Sequence, residues 1–213
     1  MRIIKILIIA CLSVLLTACG TNFSSGAGDA GNSHASRDPK TETASETSPN
    51  QAATPAKTPG RVEISFDFNR SFKMASDQLA VWVEDEQGNH IRTLFVTKFT
   101  ANGGYRQRPE SVPNWQRAFQ PEQANRAVFD SIASATLQTG RISVIWDCLD
   151  QNGEAVAAGR YIYKVEANIE WQKVDLWQGD ITVGSSPSQA DARFVQGDGS
   201  KLQAVRAAFV PSN

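Results

Sequence analysis

The stretch RVEISFDFN, residues 61–69, decides the fold class of this chain of 213 residues. Its apolar side chains alternate with polar ones, a period of two that is typical of a β-strand burying one face against a core. The same period returns in Arg141–Asp147 and, over a longer run, in Tyr161–Trp171. These three separated segments predict a mainly β domain whose strands share one core.

Four further strands complete the predicted sheet content. They are Gln78–Glu84, His90–Thr97, Val174–Val183 and Leu202–Val210. The turn-forming run Asp85–Asn89 joins the first two of them, so these are expected to form a hairpin whose turn carries solvated acidic groups such as Glu84 and Asp85. About seven short strands without alternating helices predict an immunoglobulin-like antiparallel sandwich.

A long connection, Lys98–Gly140, separates the third and fourth strands of this predicted sandwich. A connection of this length is expected to carry function or structure of its own. Pro121 opens a helical pattern within it, and an apolar face follows at helical spacing. The residues of this face are Ala124, Val128, Phe129 and Ile132. The pattern predicts a short helix that covers an open end or edge of the sandwich.

Residues 1–18 have the order of a bacterial secretory signal, with Arg2 and Lys5 before a short apolar run. The tetrapeptide Leu16–Cys19 then has the form of a lipoprotein cleavage site, which predicts that Cys19 becomes the lipidated first residue of the mature chain. Several acyl chains on one residue hold a protein firmly in a membrane. The signal predicts export and a lipid anchor.

Residues 19–60 are predicted to be the lipidated cysteine and a disordered tether, because they are rich in small and polar side chains and contain almost no large apolar ones. Residues 61–213 are then the folded domain. Resemblance to lipoproteins in general implies sorting to the outer membrane, facing the periplasm, since Gly20 rather than Asp follows Cys19.

Charge and cysteine content narrow the function classes. The formal net charge is −1 with both signs interspersed, so no basic stripe is available for nucleic acid, and nucleic-acid binding is not expected. Cys148 is the one cysteine left in the mature domain, which excludes an intrachain disulfide there. It is either an exposed reactive thiol or a small buried apolar side chain, and the second is the more common case.

The turn Asp147–Gly153 offers several oxygen-bearing side chains, as a calcium loop would. It lacks the bidentate glutamate and the ligand spacing of such a loop. Side chains that bond to their own turn, with Gly153 and Gly159 at positive φ, explain the same residues without a metal. His90 is the one histidine of the domain and is assigned to the strand surface. No metal site or catalytic residue is expected, and the domain is predicted not to be an enzyme.

Aromatic and guanidinium side chains are mixed in the first part of the long connection. The candidate binding loop consists of Tyr105, Arg106, Trp115 and Arg117. Such a mixture can bind planar or anionic ligands by stacking and charge. The alternative is a loop that is held down on the domain by its own aromatic side chains.

An ordered set of motifs resembles one family over nearly all of residues 61–210. The motifs are Val81–Asp85, Ile91–Leu94, Trp115, Asp130–Thr136, Trp146–Asp147 and Gly159–Tyr161. Together they resemble the predicted periplasmic proteins called domain of unknown function 2271. The stretch Trp146–Tyr163 is also similar to the immunoglobulin-like module of flagellar hook-capping proteins, which supports the fold but does not imply that function.

The resemblance implies an association with flavin transferases, which join FMN through its phosphate to a threonine of exported proteins, and with other envelope redox proteins. The acceptor motif of those proteins is similar to Asp130–Thr136, in which Asp130, Ser134, Ala135 and Thr136 match and Ala133 replaces the usual Ser or Thr. Thr136 is then the FMN acceptor, and Trp or Tyr rings nearby are expected to stack on the flavin. The alternative is a helix end whose small residues pack on the sheet.

Two functions therefore remain open from sequence. The first is a non-catalytic, membrane-tethered periplasmic domain that serves a flavin-dependent redox system and carries covalent FMN on Thr136. The second is an envelope binding or scaffold module that contacts protein or glycan through the loop aromatics around Tyr105 and Trp115.

Overall fold

Ten strands form two stacked sheets in the residues that the computed structural model describes, which are 59–70, 77–134, 137–170 and 172–212, without the side chains of residues 134, 169 and 170. These residues belong to one compact unit, Gln51–Asn213. In chain order the strands are β1 (Gly60–Phe68), β2 (Gln78–Glu84), β3 (His90–Thr97), β4 (Ala133–Ser134), β5 (Gly140–Trp146), β6 (Gly159–Glu170), β7 (Lys173–Val183), β8 (Ser188–Asp191), β9 (Arg193–Gln196) and β10 (Leu202–Pro211).

One sheet has four strands in the order β5-β1-β10-β8, and the other has six in the order β4-β3-β2-β6-β7-β9. All neighbouring strands run antiparallel except the two-residue β4, which lies parallel to the end of β3. The mainly β sandwich with a helical insertion between its third and fourth long strands is confirmed, and so is the β2–β3 hairpin.

The inner layer is the apolar core between the two sheets. β1 lies in the middle of its sheet, between β5 and β10, and its alternating side chains Val62, Ile64 and Phe66 are fully buried there. β6 contributes Tyr163 and Val165 from the opposite sheet. The alternation in the sequence therefore predicts this layer directly, because each strand buries one face of its pleat.

Glycine is required at one point of the inner layer. Gly179 of β7 lies opposite Tyr163 of β6, and a methyl group at this glycine would collide with the phenol ring. The space lets the Tyr163 hydroxyl donate to the carbonyl oxygen of Ala190 at 2.8 Å. This hydrogen bond connects the six-stranded sheet to β8 of the four-stranded sheet.

The connection between β3 and β5 folds into short helical segments. They are a π-helical turn at Thr100–Gly104, α1 (Tyr105–Gln107), α2 (Pro113–Phe119), a 3-10 turn at Pro121–Gln123 and α3 (Arg126–Ile132). Pro121 opens the 3-10 turn, and the side chain of Asn125 caps α3 by accepting the Ala127 N–H at 3.0 Å. The predicted helix exists, but it begins later than Pro121.

These segments lie on the outward face of the six-stranded sheet and form with it a second apolar cluster, here called the outer layer. Phe129 and Ile132 of α3 pack with Ala80 and Trp82 of β2 and with Val96 of β3. The prediction that the helix covers an open end or edge was therefore wrong. β2 is buried on both faces, which its apolar run 79–83 signals.

β4, β8 and β9 were not predicted. β8 and β9 are four-residue strands on either side of Ala192 and are largely exposed, so their sequence has no apolar alternation. Their pairing with β10 and β7 defines them. The expected positive φ at Gly159 was also wrong, because Gly159 begins β6 and pairs with Val183.

Several predictions concern residues that the structure does not describe. The signal peptide, the lipidated Cys19 and most of the tether lie outside the described residues, as does Trp171, the predicted last residue of the fifth strand. Within the described ranges, no helix has the length and apolar character needed to cross a membrane.

Candidate functional site

The acceptor-like segment, here residues 130–136, begins on α3 and continues into β4. Asp130 is exposed and forms an ion pair with Arg126 at 3.6 Å. Ser131 donates its hydroxyl to the carbonyl oxygen of Val128 at 2.7 Å, and Ile132 is buried. The segment therefore turns from helix to extended backbone between Ile132 and Ser134, where β4 begins.

The end of the acceptor-like segment lies outside the described residues. Ala135 and Thr136 are among the residues left out, and only the backbone pairing of Ser134 with Thr97 is described. Ala133 is half-buried against the outer layer, and Leu137 packs against the inner layer. The described residues on the two sides of this pair, Ala133 and Leu137, therefore contact different layers.

A cleft of about 270 Å³ adjoins the acceptor-like segment. It lies among β3, β5, the end of α3 and the turn after β5. Its lining comprises Arg92, Thr93, Leu94, Ser131, Ile132, Ile145, Asp147 and Gln151. Apolar side chains form one part of the lining, and a cation with several hydrogen-bonding groups forms the other.

The polar part of the cleft is held in place by bonds across the two sheets. The Arg92 guanidinium lies 3.3 Å from the Asp147 carboxylate and donates to the carbonyl oxygen of Asp150 at 3.1 Å. The backbone N–H of Thr93 donates to the Gln151 side chain at 3.2 Å. The turn after β5 is thereby connected to β3, and Arg92 is positioned at the cleft.

The side chain of Asp150 bonds to the backbone of its own turn. Asp150 accepts the N–H groups of Asn152 and Glu154 at 2.8 and 2.9 Å, and Gly153 has a φ of 83°. Among the described residues, no group of three His, Cys, Asp or Glu side chains could hold a metal ion. Self-bonding of the turn accounts for the oxygens that suggested calcium.

Cys148 follows the predicted pattern of a small apolar side chain. It is fully buried in the inner layer, and burial together with Asp147 raises the pKa of its thiol to about 12. A thiol with so high a pKa is almost entirely protonated near neutral pH, and the thiolate is the reactive form. The structure favours the inert alternative.

The candidate binding loop is not assembled as one surface. Tyr105 and Trp115 are buried in the outer layer, and Trp115 donates its indole N–H to the Thr93 hydroxyl at 2.9 Å. Arg106 is exposed and forms a bidentate pair with Glu122, its nitrogen atoms 3.0 and 2.7 Å from the carboxylate oxygens.

Arg117 lies on α2 and is also exposed; it donates weakly to Asn114 at 3.4 Å. Both rings are buried, so they offer little surface for a ligand to stack on. The Arg106 guanidinium lies 5.4 Å from the centre of the Tyr105 ring, whereas Arg117 bonds to Asn114 instead. The geometry favours the alternative in which aromatic side chains hold the loop on the domain.

Sequence reasoning missed a buried glutamate beneath α2. Glu166 of β6 is fully buried, and its carboxylate accepts the backbone N–H of Trp115 at 2.8 Å and both the backbone and side-chain N–H groups of Asn114. Burial raises the pKa of Glu166 to about 7, although these donors and the charge of Arg117 oppose the rise.

Glu84 contradicts the expectation of a solvated turn carboxylate. It is buried, accepts the Trp82 indole N–H at 2.7 Å and lies 2.7 Å from the Lys164 ammonium. Strand alternation places Glu84, Lys164 and Glu166 on the outward sheet face, where solvation is the usual expectation. These side chains are buried because the helical segments cover that face, and strand alternation alone does not predict this cover.

His90 is also part of the outer layer rather than a free strand-surface group. Its ring lies 2.9 Å from the Thr93 hydroxyl and its centroid is 5.2 Å from that of Phe119. Burial lowers the pKa of His90 to about 4, while the nearby Glu84 charge opposes this shift. Thr93 is thus shared between His90 and Trp115.

A match to a family model supports the family resemblance. A solved structure similar to this chain is the truncated flagellar hook-capping protein FlgD (monoclinic form) from the human pathogen Helicobacter pylori (strain 26695), at 15% identity, 74% coverage of this chain, 86% coverage of that chain and a TM-score of 0.32. No curated protein gives a significant match. The family model described as "Predicted periplasmic protein (DUF2271)" matches residues 60–200. The chain therefore belongs to the DUF2271 family of predicted periplasmic proteins.

Proposed function

We propose that this protein is a non-catalytic, membrane-tethered periplasmic lipoprotein that carries FMN on Thr136 and serves an extracytosolic flavin-dependent redox system. Membership of a periplasmic family supports the location. The observation that carries the cofactor assignment is the cleft of about 270 Å³, because Ser131 and Ile132 of the acceptor-like segment form part of its lining.

The lining of this cleft fits a planar ring with one apolar and one polar part. Leu94, Ile132 and Ile145 provide apolar contact, while Arg92 provides a cation. FMN supplies the electron-transfer chemistry when bound, and the protein supplies position and electrostatics. Arg92 is suited to stabilise negative charge on the polar part of the ring.

One expectation about this site is not met. No Trp or Tyr is among the residues that line the cleft, so the predicted aromatic stacking partner is absent from the described lining. The branched aliphatic side chains of Ile132 and Ile145 would contact the ring face instead. The fit therefore depends on aliphatic contact and on Arg92.

Attachment requires an accessible hydroxyl. In the proposed modification the hydroxyl oxygen of Thr136 attacks the FMN phosphate of a flavin dinucleotide and forms a phosphate ester. The phosphoanhydride bond of the donor breaks, its nucleoside monophosphate leaves, and the hydroxyl proton passes to solvent. The small side chains at Ser134 and Ala135 would let a flavin transferase approach. Such a transferase and envelope redox proteins are the proposed partners.

The flavin assignment is tested by expressing the full chain with a flavin transferase and measuring intact mass and in-gel flavin fluorescence. The wild type is expected to gain the mass of one FMN less one water and to fluoresce. Thr136→Ala should show neither change. Thr139→Ala is the matched control, since Thr139 lies three residues away, and it should retain the label.

A wild type without added mass would contradict the flavin assignment. Equal labelling of the wild type and Thr136→Ala would place the modification on another residue. Either result leaves the periplasmic assignment intact, because that assignment depends on the family and not on the cofactor.

The lipid anchor is tested separately at Cys19. Acyl chains on this residue would keep the full chain in the outer-membrane fraction, each buried methylene adding about 0.8 kcal/mol. Cys19→Ser should move the protein out of the membrane fraction, whereas the buried Cys148→Ser should leave it there. Equal fractionation of Cys19→Ser and the wild type would contradict the anchor.

The rival proposal is a scaffold that contacts protein or glycan through loop aromatics. The burial of these aromatics gives it less support, since Tyr105 and Trp115 are 5% and 0% exposed.

A further inference from the structure

β5 is a seven-residue strand at the edge of the four-stranded sheet. It pairs with β1 over its seven residues without a register shift, and no described strand pairs with its other side. Its sequence GRISVIW contains no Pro or Lys and is rich in β-branched residues. Proteins usually protect such an edge with those residues, with bulges or with a covering element, because unpaired backbone groups recruit another strand.

The other described sheet edges are protected. β8 and β9 are only four residues long, which limits the hydrogen bonds that each can offer. The edge of β3 is partly covered by β4, and the Thr93 N–H is already bonded to the Gln151 side chain. Among the described edges, β5 is therefore the one most available for pairing with another strand.

An exposed apolar side chain lies on this edge strand. Ile145 is 53% exposed, the largest value among the exposed large apolar residues of the described chain. Its face of β5 otherwise carries Arg141 and Ser143, since alternate residues of a strand share a face. A partner strand beside β5 would cover Ile145.

The charges on this face are arranged symmetrically about Val144. Arg141 lies three residues before Val144, and Asp147 lies three residues after it. In an antiparallel pair of two β5 strands centred on Val144, Arg141 of one copy lies directly opposite Asp147 of the other. Opposite charges in this position stabilise a strand pair, and both such pairs form at once in a two-fold dimer.

We propose that β5 pairs antiparallel with β5 of a second copy of this chain, centred on Val144, and joins the two four-stranded sheets into one continuous sheet. Arg141 and Asp147 are partly exposed despite their ion pairs within the chain, so they can also contact a second copy. The pair between Arg141 and Asp67 leaves side chains 39% and 51% exposed, and the pair between Arg92 and Asp147 leaves 29% and 47% exposed.

This pairing goes beyond the proposed cofactor function and does not require it. It would nevertheless bring two clefts to the same interface, because Ile145 and Asp147 belong both to the cleft and to the pairing face.

The test uses the full chain in detergent and measures its mass by light scattering after subtraction of the detergent. The wild type is expected to be a dimer. Arg141→Asp places like charges opposite each other at both ends of the interface, and Asp147→Arg does the same with the other sign. Each variant alone should dissociate at least about tenfold more readily.

Mixing the two variants in equal amounts should restore the dimer. In the mixed pair, Asp at position 141 faces Arg at position 147, and the remaining native Arg141 faces the remaining native Asp147. Any effect of either substitution within its own chain is the same alone and mixed. Recovery on mixing therefore reports contact between copies.

Arg206→Asp is the matched control, because Arg206 is an exposed cation of β10 in the same sheet but away from the β5 edge. This variant should remain dimeric. A monomeric wild type would overturn the proposal. A dimer that both single variants retain, or a loss that mixing does not restore, would overturn it as well.

Discussion

The two buried layers of this molecule surround their tryptophans differently. In the inner layer, Trp146 lies among apolar side chains and donates its indole N–H to the backbone of Leu149 at 2.8 Å. In the outer layer, Trp82 and Trp115 donate to the side chains of Glu84 and Thr93. The inner layer thus depends on shape, whereas the outer layer also depends on polar side chains that must be bonded across several elements.

This difference has a physical consequence. A buried carboxylate or imidazole keeps its favourable state only while its partners remain in place, and its protonation depends on burial. The outer layer contains Glu166 and His90, and burial favours the neutral form of both groups. The pKa of Glu166 is raised to about 7, and the pKa of His90 is lowered to about 4. The stability contributed by the outer layer is therefore expected to depend on pH. The stability contributed by the inner layer is expected to depend on the volume of its side chains.

The largest effect is expected from a cavity in the inner layer. Phe66→Ala removes a fully buried ring from the central strand β1 and should lower the free energy of unfolding by about 3–5 kcal/mol. Urea unfolding monitored by circular dichroism measures the loss. A loss below about 1 kcal/mol would show that the inner layer is not the main source of stability.

A smaller effect is expected where one polar bond of the outer layer is removed with little loss of volume. Trp115→Phe deletes the indole N–H that bonds to Thr93 and should cost about 0.5–1.5 kcal/mol beyond its loss of apolar area. Thr93→Val removes the other partner of the same bond. Because both single substitutions remove the same bond, the double variant should lose less unfolding free energy than the two single variants lose in sum.

The smallest effect is a pH dependence in which two groups oppose each other. The folded-state pKa of His90, about 4, lies below its ordinary 6.5, so the unfolded chain binds more protons between these values and stability falls as pH falls through them. The folded-state pKa of Glu166, about 7, lies above its ordinary 4.5, so stability rises as pH falls from about 7 to 4.5.

Single substitutions separate these two contributions. Relative to the wild type, Glu166→Gln should lose stability as pH falls from about 7 to 4.5, because the His90 contribution then acts alone. His90→Gln should gain stability relative to the wild type as pH falls from about 6.5 to 4. Urea unfolding of each variant at pH values between 4.5 and 7 gives the slopes. Parallel curves for the wild type and both variants would contradict the assignment of pH sensitivity to the outer layer.

The inner layer could be predicted from sequence because the residues that fill it alternate along each strand, as in Val62, Ile64 and Phe66. The outer layer could not be located in this way. Glu84 and Glu166 occupy the outward positions of their strands, and only the helical insertion turns these positions into buried ones. The apolar Ala80 and Trp82 on the same face were the available signal.

The candidate site was predictable only in part for the same reason. The motif around Thr136 is visible in the sequence, but the cleft beside it is built from β3, β5 and α3, which are distant along the chain. Arg92 could not be associated with the motif before the fold was known. Trp115, in contrast, was a binding candidate whose burial depends on the insertion.

Peptide mapping of the co-expressed full chain tests the central functional claim most directly. Trypsin cleaves after Arg126 and Arg141, which leaves the acceptor-like segment within one peptide, residues 127–141. The account predicts that this peptide carries FMN and that its fragment ions assign the phosphate ester to Thr136. An unmodified peptide, or a flavin assigned to another residue, would contradict it.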